Sequence, residues 1–307
     1  MQMPFQLTIL GSSSAMPTSE RYPTAQVLNV LGRFFLIDCG EGTQHQLRKN
    51  RINYSKINHI FISHLHGDHF FGLIGFISTL VLQGRRNELH IYAHSELQRY
   101  TKFQMEFLEM SDPGFPIIFH PLNFKKPQVI FEDTKIKISS FPLKHRISCC
   151  GFRFDEQPKE ANIIKEKIKA FNIPIREIKN IKAGADFQCE NGLTIPNSEL
   201  VIPAPKPRSY AFCSDTAYNE AMIPEISGVD LLYHEATFAE EETRIAEETF
   251  HSTSVQAAQI AKAAQVRKLL IGHFSARYKD TTVILKQAQN TFPNTEAALD
   301  NSTYSVD

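Results

Sequence analysis

The sequence of 307 residues predicts a layered α/β fold, in which β-sheets lie inside and α-helices lie outside. Short apolar runs recur along the chain, polar or Gly/Pro segments separate them, and helical patterns lie between several of them. The runs that we interpret as strands are FQLTIL, RFFLID, HIFIS, LHIYA, KIKISSFPL, SYAFCS, DLLYH and RKLLIGH. The length suits one large layered domain, so we predict a single domain over 1–307.

Two segments have helical character. FGLIGFISTLVLQ follows the histidine-rich stretch SHLHGDH, and SVQAAQIAKAAQ at 254–265 is rich in Ala and Gln. Thr253 and Gln256 have the spacing of a capping box, which predicts that the second helix begins near Ser254.

Composition limits the classes of function. The 33 Lys and Arg residues equal the 33 Asp and Glu residues in number, so no global basic field indicates nucleic-acid binding, although a local patch is compatible with this balance. We find no signal peptide, and the apolar run at 70–84 is too short to span a bilayer. The five cysteines form no CxxC pair, which favours free thiols in a reducing compartment. We therefore expect a cytoplasmic protein without a membrane segment.

The region 155–200 differs from the rest of the chain, because it is polar and carries few strand signals. Within 165–182, six Lys or Arg residues stand against two acids. Two interpretations are open: a solvated helix face, or a protruding basic arm that contacts phosphates.

Five predicted strands deliver a histidine or a carboxylate just beyond their apolar portion. The residues at these strand ends are His64, His66, Asp68 and His69 in one cluster, then His145, then Asp215, then His234 with Glu235, and then His273. Ligands of α/β sheets gather outside the carboxyl ends of strands. A lone histidine of this kind is more often structural, and we interpret His234 as packed, but five such strand ends together predict a metal site.

The number of donors indicates how many metals this site holds. Setting His234 and Glu235 aside, seven imidazole and carboxylate donors exceed what one tetrahedral zinc takes. They suit two metals about 3.5–4 Å apart that share one carboxylate, as in many hydrolytic and phosphoryl-transfer sites. A donor set without thiolate suits zinc, and would also accept manganese or iron.

The segment SHLHGDHFFGL resembles the HxHxDH motif of the metallo-β-lactamase superfamily. Other segments are similar to the short-form tRNase Z family within it, in the same order and over nearly the whole chain. These segments are LGSSSAMPTSERYPTA, FLIDCGEGTQHQL, PAPKPRSY, HEATF, HST and GHFSARY. The resemblance implies a metallo-β-lactamase-like αβ/βα four-layer sandwich of two mixed β-sheets flanked by helices, with 155–200 as an inserted arm that binds tRNA.

The resemblance also implies an activity and its residues. The expected protein is a homodimeric, zinc-dependent endoribonuclease that removes 3′ trailers from precursor tRNA and leaves a 3′-hydroxyl on the tRNA. It would hold two Zn²⁺ per subunit, with Mn²⁺ or Fe²⁺ as alternatives. One metal would be held by His64, His66 and His145, the other by Asp68, His69 and His273, with Asp215 as the bridge. Asp68 would also help to activate water, His251 would act as general acid, and Glu235 would orient His251.

Four further residues are candidates for substrate binding. Lys206 and Arg208 lie in a loop stiffened by three prolines, and they are interpreted either as phosphate contacts or as a solvated loop. Ser275 and Arg277 follow the last metal ligand, so they either bind a non-bridging phosphate oxygen or support the site. The arm lacks the Gly-Pro pair usual in the family, which leaves its docking mode open.

Two other functions are compatible with the sequence. The same catalytic site could act on small phosphodiesters or other small esters, in which case the arm would be structural. A scaffold that binds RNA without catalysis would not need to hold about two metals per chain.

Overall fold

A computed structural model describes residues 4–307 of the chain. The strands are β1 (Phe5–Gly11), β2 (Ala25–Val30), β3 (Arg33–Ile37), β4 (Ile57–Phe61), β5 (Leu89–Ala93), β6 (Ile117–Pro121), β7 (Gln128–Glu132), β8 (Ile136–Leu143), β9 (Cys149–Glu156), β10 (Asn162–Ile163), β11 (Phe187–Gln188), β12 (Thr194–Ile195), β13 (Val201–Ile202), β14 (Ser209–Cys213), β15 (Leu231–Glu235), β16 (Leu269–Gly272), β17 (Thr295–Ala297) and β18 (Thr303–Ser305). All eight apolar runs predicted as strands are strands, in β1, β3, β4, β5, β8, β14, β15 and β16.

The helices lie between these strands. They are α1 (Thr43–Lys49), α2 (Gly67–Phe70), α3 (Leu73–Leu82), α4 (Ser95–Phe107), α5 (Lys165–Ala170), α6 (Ile175–Lys182), α7 (Asn197–Leu200), α8 (Ile223–Ile226), α9 (Thr243–Thr249), α10 (Ser254–Ala263) and α11 (Thr282–Thr291). The capping box of α10 is confirmed, because Thr253 Oγ1 accepts from the Gln256 amide and Gln256 Oε1 accepts from the Thr253 amide. None of the helices in residues 4–307 combines the length and the apolar character that crossing a membrane requires.

Fourteen strands form two seven-stranded sheets. The first sheet has the order β18-β1-β2-β3-β4-β5-β6, and the second has the order β17-β16-β15-β14-β9-β8-β7. The first sheet is mixed: β1, β2 and β3 pair antiparallel, whereas β3 to β6 pair parallel. In the second sheet, β14 to β17 run parallel, so their carboxyl ends lie at one edge.

Aromatic rings from the two sheets pack against each other. Phe35 and Phe61 of the first sheet meet Phe154 and Phe152 of the second at ring-centroid distances of 6.1 and 5.5 Å. All four rings are buried. Aromatic pairs of this kind stabilise a core beyond the apolar area that they bury.

Helices cover the outer faces of both sheets. Leu73, Phe76 and Leu80 of α3 belong to a buried cluster with residues of β3, β4 and β5. Ala257 and Ala261 of α10 belong to another with residues of β15 and β16, where small side chains let the helix approach the sheet closely. Helix, sheet, sheet and helix give four layers, so the predicted αβ/βα sandwich is confirmed.

A second compact unit comprises Asp133–Lys137 and Asp155–Pro207, and it includes the region 155–200 that we predicted to be an arm. It contains α5, α6 and α7 and the strand pairs β10-β13 and β11-β12. Its small core includes Ile173, Ile181, Phe187 and Leu200. Its strands are two residues long, which is too short for an alternating pattern to appear in the sequence.

Candidate metal centre

Five strand ends supply the polar side chains of the site. β4 leads into the segment 63–69, and β8 leads to His145. β14 leads to Asp215, β15 ends at Glu235, and β16 leads to His273. Because β14, β15 and β16 are parallel neighbours in register, their last residues meet at the same edge of the sheet.

One group of donors consists of three histidines and a carboxylate. Nδ1 of His66 lies 3.0 Å from Nε2 of His64 and 3.2 Å from Nε2 of His145. Asp215 Oδ2 lies 3.6 and 3.7 Å from the same two Nε2 atoms. His145 Nδ1 donates to the Phe250 carbonyl, so in the neutral ring Nε2 keeps its lone pair. Lone pairs that face each other and a carboxylate form a site for a cation.

Burial keeps these three imidazoles neutral. Desolvation and the neighbouring histidines hold the pKa of His64 well below its usual range. Desolvation also lowers the pKa of His66 and of His145, against the opposing charge of Asp215. Neutral imidazole is the form that binds metals.

A second group consists of Asp68, His69 and His273. His69 Nε2 lies 3.4 Å from Asp68 Oδ2 and 3.2 Å from Asp215 Oδ1. His273 Nε2 lies 3.7 and 3.3 Å from the same two oxygens. Both Nε2 atoms are buried, and neither has a hydrogen-bond partner within residues 4–307. Buried polar atoms rarely stay unpaired, so these two atoms fit a metal ion as their partner.

Asp215 links the two groups. Its Oδ2 faces His64 and His145, whereas its Oδ1 faces His69 and His273. The carboxylates around His69 favour positive charge at this place. Burial opposes the charged form of His69, but Asp68, Asp215 and Asp38 raise its pKa well above the usual value. The geometry therefore fits binding of divalent metal, and it brings together the seven side chains that the sequence predicts as donors.

Sequence reasoning missed the residue that supports this cluster, Asp38. Its carboxylate accepts from His69 Nδ1 at 2.7 Å and from the amide and hydroxyl of Ser63 at 2.8 and 2.9 Å. Metal-bound histidines usually donate their second ring N–H in this way, which fixes their orientation. The signal was available, because Asp38 directly follows the apolar part of β3, like the other strand-end residues.

Four residues around the site have the left-handed backbone conformation. Asp38, His273, Phe250 and Ala15 have φ values of 54°, 59°, 60° and 55°. Each of them contributes a site contact: Phe250 accepts from His145, and the Ala15 amide donates to Asp68 Oδ2 at 2.9 Å. Such conformations are costly for residues other than glycine, and they concentrate where function requires them.

His251 and Glu235 form a charged pair beside the metal donors. His251 Nδ1 donates to Glu235 Oε1 at 2.8 Å, and His251 Nε2 lies 3.9 Å from Asp215 Oδ2. Burial opposes the charged form of His251, but Glu235 raises its pKa to about 9. His251 also stands within ligand range of Asp215 and His273. His234 is buried, and its Nδ1 bonds to the Glu235 carbonyl, away from the donor groups.

The four predicted substrate-binding residues lie in different places. The Ser275 amide donates to the Thr237 carbonyl, close to the last ligand. Arg277 lies 5.0 Å above the Phe238 ring, which is 6.1 Å from the His251 ring, and it pairs with Glu242 at 3.2 Å.

Arg208 is not brought to the donor groups. It precedes β14, whereas Asp215 follows that strand at its other end. Its guanidinium lies 5.3 Å above the Phe5 ring, and only 7% of the residue is exposed. Lys206 is exposed and belongs to the second unit.

Comparisons with known proteins agree with this geometry. Ribonuclease Z of Bacteroides fragilis is 46% identical over 302 residues, which cover 98% of this chain and 99% of that protein. Ribonuclease Z of Parabacteroides distasonis is 48% identical over 293 residues, 95% of each chain. The crystal structure of human tRNase Z, short form (ELAC1), matches with a TM-score of 0.72 at 26% identity, covering 98% of this chain and 99% of that one.

Two further comparisons bear on the fold and on the first half of the chain. The metallo-β-lactamase fold protein YhfI from Bacillus subtilis matches with a TM-score of 0.70 at 17% identity over 99% of each chain, and this supports the fold alone. The family model described as Anti-Pycsar protein Apyc1 matches residues 5–159, and that half of the chain belongs to this family. The match ends before Asp215, Glu235, His251 and His273, whereas the match to the B. fragilis relative covers 98% of this chain. Over its whole length, therefore, the chain belongs to the ribonuclease Z family.

Proposed function

We propose that the chain is an endoribonuclease that removes 3′ trailers from precursor tRNA and leaves a 3′-hydroxyl on the tRNA. The observation that carries this proposal is the convergence of seven metal donors and the His251–Glu235 pair in a member of the ribonuclease Z family. The experiment that tests it is a cleavage assay on a precursor tRNA, with the 3′ end of the product identified and the metal content measured on the same sample.

The proposed cofactors are two Zn²⁺ per subunit, with Mn²⁺ or Fe²⁺ as alternatives that the same donor atoms would accept. His64, His66 and His145 would hold one ion, Asp68, His69 and His273 the other, and Asp215 both. The ions would supply charge stabilisation for the scissile phosphate and lower the pKa of the attacking water. The buried Nε2 atoms of His69 and His273, which have no hydrogen-bond partner within residues 4–307, support binding of a metal ion by this group.

The chain's own residues supply the proton transfers. Asp68, with 11% of its side chain exposed, would take a proton from the attacking water. The water oxygen bonds to phosphorus, and the bond from phosphorus to the tRNA 3′-oxygen breaks. His251, with 14% of its side chain exposed, would protonate that leaving oxygen from Nε2, because Glu235 holds its Nδ1.

Replacing Glu235 by Gln is expected to shift the alkaline limb of the pH–activity profile to lower pH. A raised pKa keeps the proton on His251 until the pH passes about 9, and loss of the Glu235 charge should return this pKa toward its ordinary value of 6.5. The same ion pair stabilises the folded chain fully between about pH 4.5, the ordinary pKa of a Glu carboxyl, and pH 6.5, and it ceases to do so as the pH rises through about 9. The measurement is kcat against pH at saturating metal.

The exposed Glu247 of α9 provides the matched control for this profile. Glu247→Gln should keep the profile of the unmodified protein. An alkaline limb that stays in place in Glu235→Gln would refute the assignment of His251 as the general acid.

We propose that residues 155–200 form the arm that binds tRNA. α5 and α6 carry Lys165, Lys169, Arg176 and Lys179 on exposed positions. Arg176 pairs with Glu177 at 3.5 Å, and Lys182 pairs with Glu160 at 2.9 Å. Four exposed cations on two short helices suit phosphate contacts, which depend on charge and not on base sequence. Lys206, at the end of this unit, and Ser275 and Arg277, beside the metal donors, remain proposed phosphate contacts.

Deleting 160–195 and bridging the gap with a Gly-Ser linker is expected to abolish cleavage of precursor tRNA while sparing hydrolysis of a chromogenic phosphodiester. All metal donors lie outside this segment, so the small substrate needs none of it. The measurement is kcat/KM on both substrates.

A milder variant separates charge from folding. Replacing Lys165, Lys169 and Lys179 together by Glu should weaken cleavage of the precursor and leave the small substrate unaffected. Equal loss on both substrates after the deletion would instead favour a structural arm and the alternative function, hydrolysis of small phosphodiesters.

A homodimer in the cytoplasm is the proposed state of the protein. The dimer is supported by the family resemblance. All five cysteines are free thiols, and four of them are buried. Free thiols are typical of a reducing compartment such as the cytoplasm.

A further inference from the structure

Thr237, which was not among the predicted site residues, lies at the centre of the hydrogen bonds that join Glu235, His251 and His273. It is buried, and its Oγ1 lies 2.7 Å from Glu235 Oε2 and 2.9 Å from His273 Nδ1. His251 Nδ1 is 3.3 Å away from the same oxygen, farther than its 2.8 Å bond to Glu235. The hydroxyl of Thr237 thus lies between the candidate metal donor His273 and the His251–Glu235 pair.

The donors and acceptors available on Glu235, Thr237 and His273 permit only one arrangement of the hydrogen bonds between them. Each carboxylate oxygen of Glu235 already accepts a backbone N–H, from Thr216 at 3.0 Å and from Thr237 at 3.1 Å, so the carboxylate acts as an acceptor. The single hydrogen of the Thr237 hydroxyl therefore goes to Glu235. A hydroxyl that donates there can only accept from His273, so Nδ1 of His273 carries the hydrogen.

This arrangement determines the state of the other ring nitrogen. When Nδ1 of neutral His273 carries the hydrogen, Nε2 carries a lone pair. That Nε2 is the buried atom without a partner that faces Asp68 and Asp215. The hydroxyl of Thr237 thus selects the tautomer in which His273 can bind a metal.

The chain repeats the same device at the other donor group. Ser63 Oγ lies 2.9 Å from Asp38 Oδ2 and 3.0 Å from His64 Nδ1, and His69 Nδ1 donates to the same Asp38 oxygen at 2.7 Å. In both places a hydroxyl joins one histidine to a carboxylate that holds a second histidine. The recurrence favours a role in positioning histidines over a chance contact.

We propose that Thr237 is a positioning residue: its hydroxyl sets the tautomer of His273 and ties that metal ligand to the Glu235–His251 pair. The proposal rests on the two-metal site proposed above. It predicts that the second donor group loses metal affinity when the hydroxyl is absent, because His273 then lacks the acceptor that holds its ring.

The test compares Thr237→Val, which removes the hydroxyl and keeps the shape, with Thr237→Ser, which keeps the hydroxyl. Zinc affinity is measured by competition with a chelator, and zinc content on the same samples. Thr237→Val should bind the second zinc about 10–100-fold more weakly and lose kcat with little change in KM, the usual effect of removing a group that orients a ligand. Thr237→Ser should stay close to the unmodified protein.

Thr101 provides the matched control. It is a buried threonine of α4 whose hydroxyl has no hydrogen-bond partner within residues 4–307. Thr101→Val should therefore bind both zinc ions normally. If Thr237→Val also bound both zinc ions with unchanged affinity, the proposal would be wrong. The zinc measurement uses no RNA, so its result does not depend on whether the protein cleaves precursor tRNA.

A second measurement decides the question if Thr237→Val does not fold. ¹⁵N NMR of histidine-labelled, zinc-free protein, with His273 assigned through a His273→Gln variant, reports which ring nitrogen carries hydrogen when no metal holds Nε2. Hydrogen on Nδ1 of His273 is the expected result. Hydrogen on Nε2 would overturn the proposal.

Discussion

Asp215→Asn is expected to cause the largest loss of activity, more than about 10³-fold in kcat, beyond the usual effect of removing one electrostatic contact from an active site. Asp215 is the residue whose two oxygens face both donor groups. The amide keeps the size of the side chain but removes its charge, and its NH₂ group cannot act as a metal ligand. Zinc content should fall well below two per chain, as measured by elemental analysis together with cleavage of precursor tRNA.

Asp230 allows a matched control for this experiment. It is a buried carboxylate that precedes β15, at the end of the sheet opposite to the metal donors, and it accepts from the amide and hydroxyl of Ser209. Asp230→Asn should reduce stability but keep two zinc ions per chain. Full zinc content in Asp215→Asn would contradict a shared bridging carboxylate.

His251→Ala is expected to reduce cleavage of precursor tRNA by about 10²–10⁴-fold, the range typical of a general acid. The metal content should stay at its original level, because His251 is held by Glu235 and not by the metal donors. The measurement is single-turnover cleavage with zinc content determined in parallel. A loss of zinc would instead identify His251 as a ligand.

The control for His251→Ala is His45→Ala, which changes an exposed histidine of α1. Its cleavage rate should equal that of the unmodified protein. A rate within a few-fold of the original for His251→Ala as well would mean that another group protonates the leaving oxygen.

The convergence of the candidate metal donors could be predicted from sequence because of how parallel strands end. A strand ends in a short polar segment at the sheet edge, and the edge brings segments from distant parts of the chain together. Asp215 and His273 are 58 residues apart, yet their side chains approach to 3.3 Å. A list of strand ends therefore contains most of the site.

The residues that orient the donors could not be predicted in this way. Ser63 and Thr237 are ordinary polar residues whose role depends on which way a hydroxyl points, and spacing does not reveal that direction. Asp38 fitted the strand-end pattern and could have been included. Arg208 is a different case: a basic residue in a proline-rich loop suggested phosphate contact, and the structure places its side chain against Phe5, largely buried.

Anomalous diffraction from crystals of the zinc-loaded protein tests the two-metal site most directly. Two peaks about 3.5–4 Å apart are expected. One should lie among His64, His66 and His145, the other among Asp68, His69 and His273, with Asp215 between them. A single peak, or peaks away from these strand ends, would contradict the two-metal site.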